Sequence, residues 1–328
     1  MMKYTSLGRS GLQVSRLCLG TRNFGPHATP EESYAIMDRA HEHGINFFDT
    51  ADVYGWQKGE GITEKIIGDW FAKGENRREK TVIATKLYGD MGNGNMDGWP
   101  NTTRVTALHI RRACEASLTR LKTDYIDLYQ MHHIYRDTPW EEVWEAFTIL
   151  KQQGKVLYIG SSNFAGWHIA QANEKAKRRG IMGLVSEQSK YSLLQREIEM
   201  EVGPAAEAYG VGVIPWSPLA SGVLAGVMKG QEGARRHGDW VKKLIEEKGD
   251  QLSAWENLCE SIGEQPADVA LAWTLSKSFV TAPIIGPRTL EQLDGSLRAL
   301  EIEITAELNE KIDAISPAVK TSPEHYAW

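Results

Sequence analysis

The chain has 328 residues, of which 37 are basic and 43 are acidic, so its formal net charge is −6 and its length allows one large or two ordinary domains. The acidic balance argues against a nucleic-acid-binding protein, which usually presents a basic face, and no apolar run approaches the roughly 18 residues of a membrane-spanning helix. The first residues lack the apolar stretch of a secretory signal, and the three separated cysteines predict a reduced, cytoplasmic compartment without a disulfide framework.

The chain begins with a predicted hairpin and continues as a regular alternation of short apolar runs and amphipathic segments. Residues 3–16 favour a β-hairpin around Arg9-Ser10-Gly11. Eight apolar runs then predict strands at Leu17–Gly20, Asn46–Thr50, Thr81–Lys86, Tyr125–Met131, Val156–Ser162, Gly183–Gln188, Val211–Trp216 and Thr281–Gly286. Residues 217–250 form a long insertion after the seventh run, and Thr305–Ile315 predicts an added C-terminal helix.

The segments between the strands carry signals that start and stop helices. Thr29-Pro30-Glu31-Glu32 places a hydroxyl at the N-cap, proline at the first helical position and glutamate at the third, and the segments that begin at Thr138 and Thr289 follow the same logic. Glycines stand where helices end before the next strand, at Gly44, Gly154, Gly180 and Gly210. Apolar stripes at helical spacing follow, as in Trp140, Val143, Trp144, Phe147 and Leu150.

Eight consecutive βα units predict a closed parallel sheet with helices outside. We therefore expect an α/β protein with a (β/α)8 TIM-barrel fold, an N-terminal β-hairpin over the bottom of the barrel and an extra C-terminal helix, all in one domain spanning residues 1–328. Active sites of such barrels lie at the carboxyl ends of the strands, so the residues at those positions are the candidates for function.

Four strand-end residues form a chemical set for proton donation. Tyr54 is a phenol, whose ordinary pKa of about 10 makes it a weak acid at neutral pH. The ammonium of Lys86 would stabilise the phenolate and lower that pKa, and Asp49 would keep the lysine charged and in place. The imidazole of His132 could orient a carbonyl oxygen near the phenol, so the set suits protonation of an oxygen while hydride reaches carbon.

The strand-end residues lie within motifs that resemble the aldo-keto reductase superfamily, in order from about residue 3 to residue 300. The matching stretches are NFFDTADVYG, ATK, YIDLYQMHH, IGSSNF, SEQ, VIPWSPL and PIIGPRTLEQL. The resemblance implies an NADP-dependent oxidoreductase that reduces a small carbonyl compound, with Asp49, Tyr54, Lys86 and His132 as the catalytic residues. The sequence leaves the oligomeric state open, a homo-oligomer included.

The same resemblance implies the residues that would hold NADPH and substrate. Ser162, Asn163 and Gln188 would bind the carboxamide, Trp216 would stack on the nicotinamide, Ser217 and Leu219 would contact the pyrophosphate, and Gly286, Arg288 and Gln292 the adenosine end. Arg22, Trp56, Tyr88 and His133 would line the substrate pocket. Two residues depart from the family pattern, since Ser296 stands where asparagine is common and Arg22 stands where an apolar or aromatic residue is expected.

Alternatives stay open at this point. The sequence holds no G-x-G-x-x-G after a strand, which disfavours a Rossmann fold, and the adjacent His132 and His133 lack further metal ligands at suitable spacing, so no metal is expected. The runs DYIDLYQMHH and PEHYAW resemble nucleotide-hexose 2,3-enoyl reductases, which makes a nucleotide-linked deoxysugar an alternative substrate. A cofactor-binding regulatory subunit, as in potassium-channel β-subunits, is the alternative of another class. The basic residues of the 217–250 insertion could cover the cofactor or remain solvated.

Overall fold

The computed structural model describes residues 2–55, 60–91, 99–230 and 239–327. The strands in chain order are β1 Tyr4–Ser6, β2 Gln13–Ser15, β3 Cys18–Gly20, β4 Phe47–Asp49, β5 Val82–Leu87, β6 Ile126–Met131, β7 Val156–Ser162, β8 Leu184–Gln188, β9 Gly212–Val213 and β10 Ile284–Ile285. The helices are α1 Pro30–Glu42, α2 Ile62–Phe71, α3 Ala107–Leu121, α4 Trp140–Gln152, α5 Gly166–Arg178, α6 Val202–Tyr209, α7 Asp239–Ser261, α8 Pro266–Leu275, α9 Leu290–Ser296, α10 Ala306–Ile315 and α11 Glu324–Ala327.

The eight strands β3 to β10 form one parallel sheet in the order β10-β3-β4-β5-β6-β7-β8-β9. The sheet curls until its two outer strands meet, because the Thr281 N–H donates to the Val213 oxygen at 2.8 Å and the Ile284 N–H donates to the Pro215 oxygen at 2.8 Å. These contacts close the (β/α)8 barrel that the alternating sequence predicts. All eight predicted strands are present, so the predicted fold is confirmed.

The last two barrel strands are much shorter than the sequence predicts. The predicted run Val211–Trp216 yields only Gly212–Val213, and Thr281–Gly286 yields only Ile284–Ile285. Prolines at 215, 283 and 287 explain the difference, since a proline has no N–H to donate to a sheet ladder. The polar residues that follow these two strands therefore stand on irregular backbone.

The N-terminal hairpin covers the bottom of the barrel, as predicted. Strands β1 and β2 pair antiparallel, with Thr5 opposite Val14. Leu7, in the turn between them, is fully buried in an apolar cluster with residues from the starts of the barrel strands. Gly8 has φ +52°, and a Cβ at that position would lie 2.4 Å from the Val185 backbone oxygen. Only glycine allows this close approach of the hairpin to the barrel.

Two of the three predicted helix starts are correct and one is off by a residue. Thr29 and Glu32 form a complete capping box at α1, and the Thr289 hydroxyl accepts the Gln292 N–H at α9. Thr138, however, does not cap α4. The N-cap is Pro139 and the helix begins at Trp140, while the Thr138 N–H donates to the Tyr135 oxygen in the preceding turn.

The predicted insertion is partly a long helix. Residues 239–250 form the first half of α7, whose second half buries Leu252, Trp255 and Cys259 in a second apolar cluster. Among the basic residues of this segment, Lys229 pairs with Glu260 and Lys243 with Glu247, both on the surface. Arg235, Arg236 and His237 lie outside the described residues. Of the helices within the described ranges, none combines the length and the apolar character that crossing a membrane requires.

Candidate active site

The predicted catalytic residues come together at the carboxyl ends of three adjacent strands. Asp49 is the last residue of β4, Lys86 lies near the end of β5, and His132 follows β6. Tyr54 stands in the turn after β4. That turn is tied to β5 because the Asp52 N–H donates to the Lys86 oxygen at 3.1 Å, and the Tyr54 N–H returns to the Ala51 oxygen at 3.2 Å. Neighbouring parallel strands thus place the four side chains at one edge of the barrel.

Lys86 is the centre of this arrangement. Its ammonium is fully buried and donates to Asp49 Oδ2 at 2.6 Å, to the Thr50 backbone oxygen at 2.8 Å and to the Tyr54 hydroxyl oxygen at 3.3 Å. Burial alone would lower the pKa of Lys86, but the attraction of Asp49 and the contact with Tyr54 raise it above its ordinary value. The lysine therefore stays charged at neutral pH, with one proton directed at the phenol.

Asp49 is held by amide groups as well as by the lysine. Its Oδ1 accepts from Gln188 Nε2 at 2.8 Å and from Gln130 Nε2 at 3.1 Å. Each carboxylate oxygen thus has a donor, which offsets the cost of burying the charge. Gln130 is not among the site residues that the sequence predicts. The signal was present, because Gln130 precedes His132 by two residues and residues two apart on a strand face the same side.

The pKa of Tyr54 is raised, not lowered. Burial raises the pKa, Lys86 lowers it, and Asp49 raises it again, so the net direction is upward. The predicted effect of the lysine is therefore correct, but it is smaller than the effect of burial. Tyr54 is consequently a protonated phenol at neutral pH, with a positive charge placed to stabilise the phenolate that forms when the proton leaves.

His132 is a neutral imidazole beside the phenol. Its ring lies 6.0 Å from the Tyr54 ring, edge to face, and stacks on His133 at 4.9 Å. Burial, together with the positive charge of Lys86, lowers the pKa of His132 to about 2. A neutral imidazole can donate one hydrogen bond to a carbonyl oxygen without competing for the proton of the phenol.

Four of the residues predicted for the cofactor form a connected group next to the four catalytic candidates. The Ser162 hydroxyl donates to the Gln188 backbone oxygen at 2.9 Å. The Asn163 side chain donates to the His132 oxygen at 3.1 Å and accepts from Trp216 Nε1 at 3.1 Å. Asn163 has φ +59°, a left-handed conformation that asparagine tolerates better than most residues. Gln188 joins this group to Asp49.

The remaining cofactor candidates lie at the ends of the two short strands. Ser217 and Leu219 follow β9 in a turn where Ser217 has φ +54° and its oxygen accepts the Ala220 N–H. The Gly286 oxygen accepts from Asn23 at 2.8 Å, and the Arg288 N–H donates to Gln292 Oε1 at 2.8 Å at the start of α9. Within the described ranges, no carboxylate lies within ion-pair distance of the Arg288 guanidinium.

Ser296, the departure from the family pattern on α9, bonds back into its own helix. Its hydroxyl donates to the Gln292 oxygen at 2.8 Å. A serine in a helix often makes this contact with the carbonyl four residues earlier, and the contact occupies its one proton. The side chain that an asparagine would extend away from the helix is therefore missing here.

The substrate candidates divide into three described residues and one that is not described. Tyr88 and His133 form an edge-to-face pair at 5.2 Å, and Arg22 is exposed at the same rim, where its charge lowers the pKa of both Tyr54 and His132. Trp56 lies outside the described residues. Arg22 does not bond to the nearby Asp52, since both Asp52 carboxylate oxygens are buried without a hydrogen-bond partner in the described part of the chain.

Glu187 is a fully buried acid near the end of β8 and is not among the predicted site residues. Its Oε1 accepts from the Phe164 N–H at 3.0 Å and from the Ser189 hydroxyl at 2.7 Å, and its Oε2 contacts the Ser161 hydroxyl. Burial raises the pKa of Glu187 to about 7. The carboxyl group therefore fixes the turn that carries Ser162 and Asn163.

The described residues contain no set of side chains that could bind a metal ion. Over residues 2–55, 60–91, 99–230 and 239–327, no group of three or more histidine, cysteine or acidic side chains is arranged to hold an ion. The three cysteines are buried and unpaired. The described site offers proton donation from the Tyr54 phenol, a positive charge on Lys86 and a hydrogen bond from the neutral His132 imidazole.

These features define an oxidoreductase-type barrel, and comparison with known proteins identifies its family. A sequence profile of the aldo/keto reductase family matches residues 16–317, so the chain belongs to that family. It is 53% identical over the whole length of both chains to a Bacillus subtilis protein named as an uncharacterised oxidoreductase, YrpG.

More distant relatives carry more specific names. The versiconal hemiacetal acetate reductase of Aspergillus parasiticus is 33% identical, with 93% of this chain and 94% of the relative covered. A Schizosaccharomyces pombe protein, provisionally named as a voltage-gated potassium channel subunit beta, is 34% identical, with 94% of this chain and 92% of the relative covered. The predicted family is confirmed, and the family implies reduction of carbonyl compounds.

Proposed function

We propose that the protein is a cytoplasmic, NADPH-dependent reductase that converts an aldehyde or ketone to an alcohol, with Tyr54 as the proton donor. The observation that carries the proposal is the buried Lys86, which contacts both Asp49 and the Tyr54 hydroxyl. Folding does not require this buried ion pair, since replacing both Lys86 and Asp49 by well-packed apolar residues would often leave a protein equally stable. Its value lies in stabilising negative charge on the phenolate.

The residues next to the catalytic set suit a nicotinamide cofactor. Ser162, Asn163 and Gln188 present a hydroxyl and two amides, which match the donor and acceptor of a carboxamide, and Trp216 offers an aromatic surface beside them. When bound, NADPH supplies the hydride that reaches the carbonyl carbon. Ser217 and Leu219 would contact the pyrophosphate, and Gly286 and Gln292 the adenosine end.

Arg288 supports the choice of NADPH over NADH. Arg288 directly precedes Thr289, the N-cap residue of α9, and the helix dipole at that terminus also favours an anion. A guanidinium can make two parallel, charge-assisted hydrogen bonds to a phosphate, and the 2′-phosphate is the group that distinguishes NADPH from NADH. We therefore assign Arg288 to that phosphate.

The proton follows a short path in this proposal. The neutral His132 donates to the substrate oxygen and orients it, and the Tyr54 hydroxyl gives its proton to the same oxygen as the carbon accepts hydride. The remaining phenolate is stabilised by the Lys86 ammonium at 3.3 Å, which Asp49 keeps charged. Electrostatic stabilisation of this kind acts where charge develops and needs no rearrangement at the moment of reaction.

Arg22 indicates a substrate with negative charge or dense polar groups, such as a nucleotide-linked deoxysugar. Its charge acts on both Tyr54 and His132, so it lies close to the reacting atoms. We expect Arg22→Met to raise KM for an anionic carbonyl compound while sparing a small neutral aldehyde. Equal effects on the two substrates, measured by steady-state kinetics, would remove this substrate class and leave a general aldehyde reductase.

A regulatory role is the second candidate, favoured by the relative that carries the name of a channel β subunit. The two functions differ in turnover. A reductase consumes NADPH over many cycles with a suitable aldehyde or ketone, whereas a cofactor-binding subunit retains one nucleotide and turns over negligibly. We expect sustained NADPH oxidation, with alcohol formed in equal amount, in a survey of aldehydes, ketones and sugar nucleotides. Tight binding without turnover on any of them would favour the subunit.

A further inference from the structure

A second cavity lies outside the barrel, between α4, α5 and the loop that joins β6 to α4. Its volume is about 230 Å³, and its lining includes Tyr135, Arg136, Trp140, Trp167, His168 and Gln171. None of the four catalytic candidates borders it. Trp140 Nε1 donates to Gln171 Oε1 at 2.8 Å, and Lys175 pairs with Glu141 at 2.6 Å, so contacts between the two helices frame the opening.

The hydrogen bonds around His168 leave one donor at this cavity without an acceptor. His168 is only 2% exposed. The Ala165 N–H approaches its Nδ1 at 3.1 Å, and the Arg136 Nε–H approaches its Nε2 at 3.1 Å. A neutral imidazole has one N–H and one acceptor nitrogen, so it cannot accept at both. In either tautomer, two donors face each other at one of these contacts.

A doubly deprotonated ring is not available at neutral pH, and protonation makes the conflict worse. Burial, followed by the charge of Arg136, lowers the pKa of His168 to about 4, so the ring is neutral. Ala165 is the N-cap residue of α5 and its N–H has no partner within the helix, which favours acceptance at Nδ1. The proton then stands on Nε2, facing Arg136. The site therefore lacks one acceptor, beside Nε2 and the guanidinium.

The charges around the cavity favour a negative acceptor. Lys175 and Glu141 neutralise each other, which leaves Arg136 as the excess charge among the lining residues. Within the described residues no acidic side chain pairs with Arg136, whose other contact is the Trp167 ring at 6.0 Å. The amino ends of α4 and α5 both lie at this cavity, and their dipoles add to the positive potential.

The rest of the lining is apolar. Val105, Met131, Ile134 and Val143 join the two tryptophans at the wall. A site with a cation at one end and an aromatic and aliphatic wall suits a ligand that carries an anionic group on an apolar body. Inorganic anions would meet the cation but leave the apolar wall in contact with water.

We propose that this cavity is a binding site for a small organic carboxylate, whose carboxylate accepts from His168 Nε2 and the Arg136 guanidinium and whose apolar body lies against Trp140 and Trp167. The site is separate from the proposed reductase chemistry and does not depend on it. Binding would supply the acceptor that the imidazole lacks, and it would satisfy both donors at once.

The test compares phenylacetate with its neutral analogue phenylacetamide by calorimetry on the full chain. We expect phenylacetate to bind the wild type at least tenfold more tightly than the amide. Arg136→Met should weaken phenylacetate binding at least tenfold, while Arg178→Met, which removes an exposed arginine from the other end of α5, should leave it unchanged. Equal loss in both variants would mean non-specific attraction, and no loss in Arg136→Met would place the ligand elsewhere. Either result would overturn the proposal.

A second measurement reports on His168 directly. Nitrogen chemical shifts of the ring, assigned with His168→Gln, give its tautomer and its titration. We expect the Nε2–H form, and we expect saturating phenylacetate to raise the pKa of His168 from about 4 because a negative charge then lies beside it. If saturating phenylacetate leaves the titration unchanged, water supplies the missing acceptor and the proposal is wrong.

Discussion

Replacing Lys86 with methionine removes the ammonium but keeps most of the apolar volume of the side chain. Asp49, which is 3% exposed, would retain only the amide donors of Gln130 and Gln188. Removing one partner of a buried ion pair typically costs about 3–5 kcal/mol, because the other charge stays buried and unpaired. An unfolding entropy of about 2.1 cal/mol/K per residue gives roughly 0.7 kcal/mol/K for a chain of 328 residues. We therefore expect the melting temperature to fall by about 4–7 °C.

The double variant Asp49→Asn/Lys86→Met separates stability from catalysis. It removes the buried charge that the single variant leaves unpaired, so at least half of the lost stability should return. Turnover should not return, because the phenolate of Tyr54 still lacks a positive neighbour. Calorimetric melting measures the first quantity and steady-state kinetics the second, with Lys65→Met as the control for removing an exposed lysine. The reasoning is refuted if Lys86→Met melts like the wild type, or if the double variant is no more stable than the single one.

Two further predictions concern Arg288 and Glu187. Arg288→Ala should weaken NADPH binding by about 10–100-fold, the range for charge-assisted hydrogen bonds, and leave NADH binding nearly unchanged; equal weakening in calorimetry would give Arg288 a structural role. Glu187 has a folded-state pKa of about 7 against an ordinary value of 4.5, so the folded state binds the extra proton and the contribution of this group to stability falls as pH rises between those values. Glu187→Gln mimics the protonated acid, so its stability relative to the wild type should rise from pH 5 to pH 8. If the melting temperatures of the two proteins change with pH in parallel, Glu187 does not titrate with a raised pKa.

The fold was predictable because local signals and the global pattern agree. The eight alternating units, the hairpin at residues 3–16 and the helix starts at Thr29 and Thr289 all follow from spacing and capping chemistry. The errors arise where several local signals compete. Thr138 offers a good N-cap hydroxyl, but Pro139 is compatible with the cap position itself and the helix begins one residue later. The shortened β9 and β10 arise because prolines interrupt runs that are otherwise apolar.

The candidate site was predictable as a set of residues but not as a network. Strand ends meet at one rim of a barrel, so Asp49, Lys86 and His132 could be brought together from the order of the strands alone. The bonds that Gln130 and Gln188 make to Asp49 depend on side-chain directions across strands far apart in sequence. The upward pKa shift of Tyr54 depends on how deeply the hydroxyl is buried, which a sequence does not give. The conflict at His168 could not be predicted either, because it depends on where the Ala165 and Arg136 donors lie around the ring.

The most direct test of the proposed chemistry is single-turnover and steady-state reduction of benzaldehyde by NADPH in Tyr54→Phe, with cofactor affinity measured in the same samples. Tyr125 precedes β6, at the opposite end of that strand from His132, and its ring contacts Arg78. Tyr125→Phe therefore serves as the matched loss of a phenol hydroxyl away from the site. We predict that Tyr54→Phe binds NADPH like the wild type and loses about 10²–10⁴ in turnover, the range for a positioned general acid, while Tyr125→Phe loses nothing. Near-normal turnover by Tyr54→Phe would contradict the assignment of Tyr54 as the proton donor.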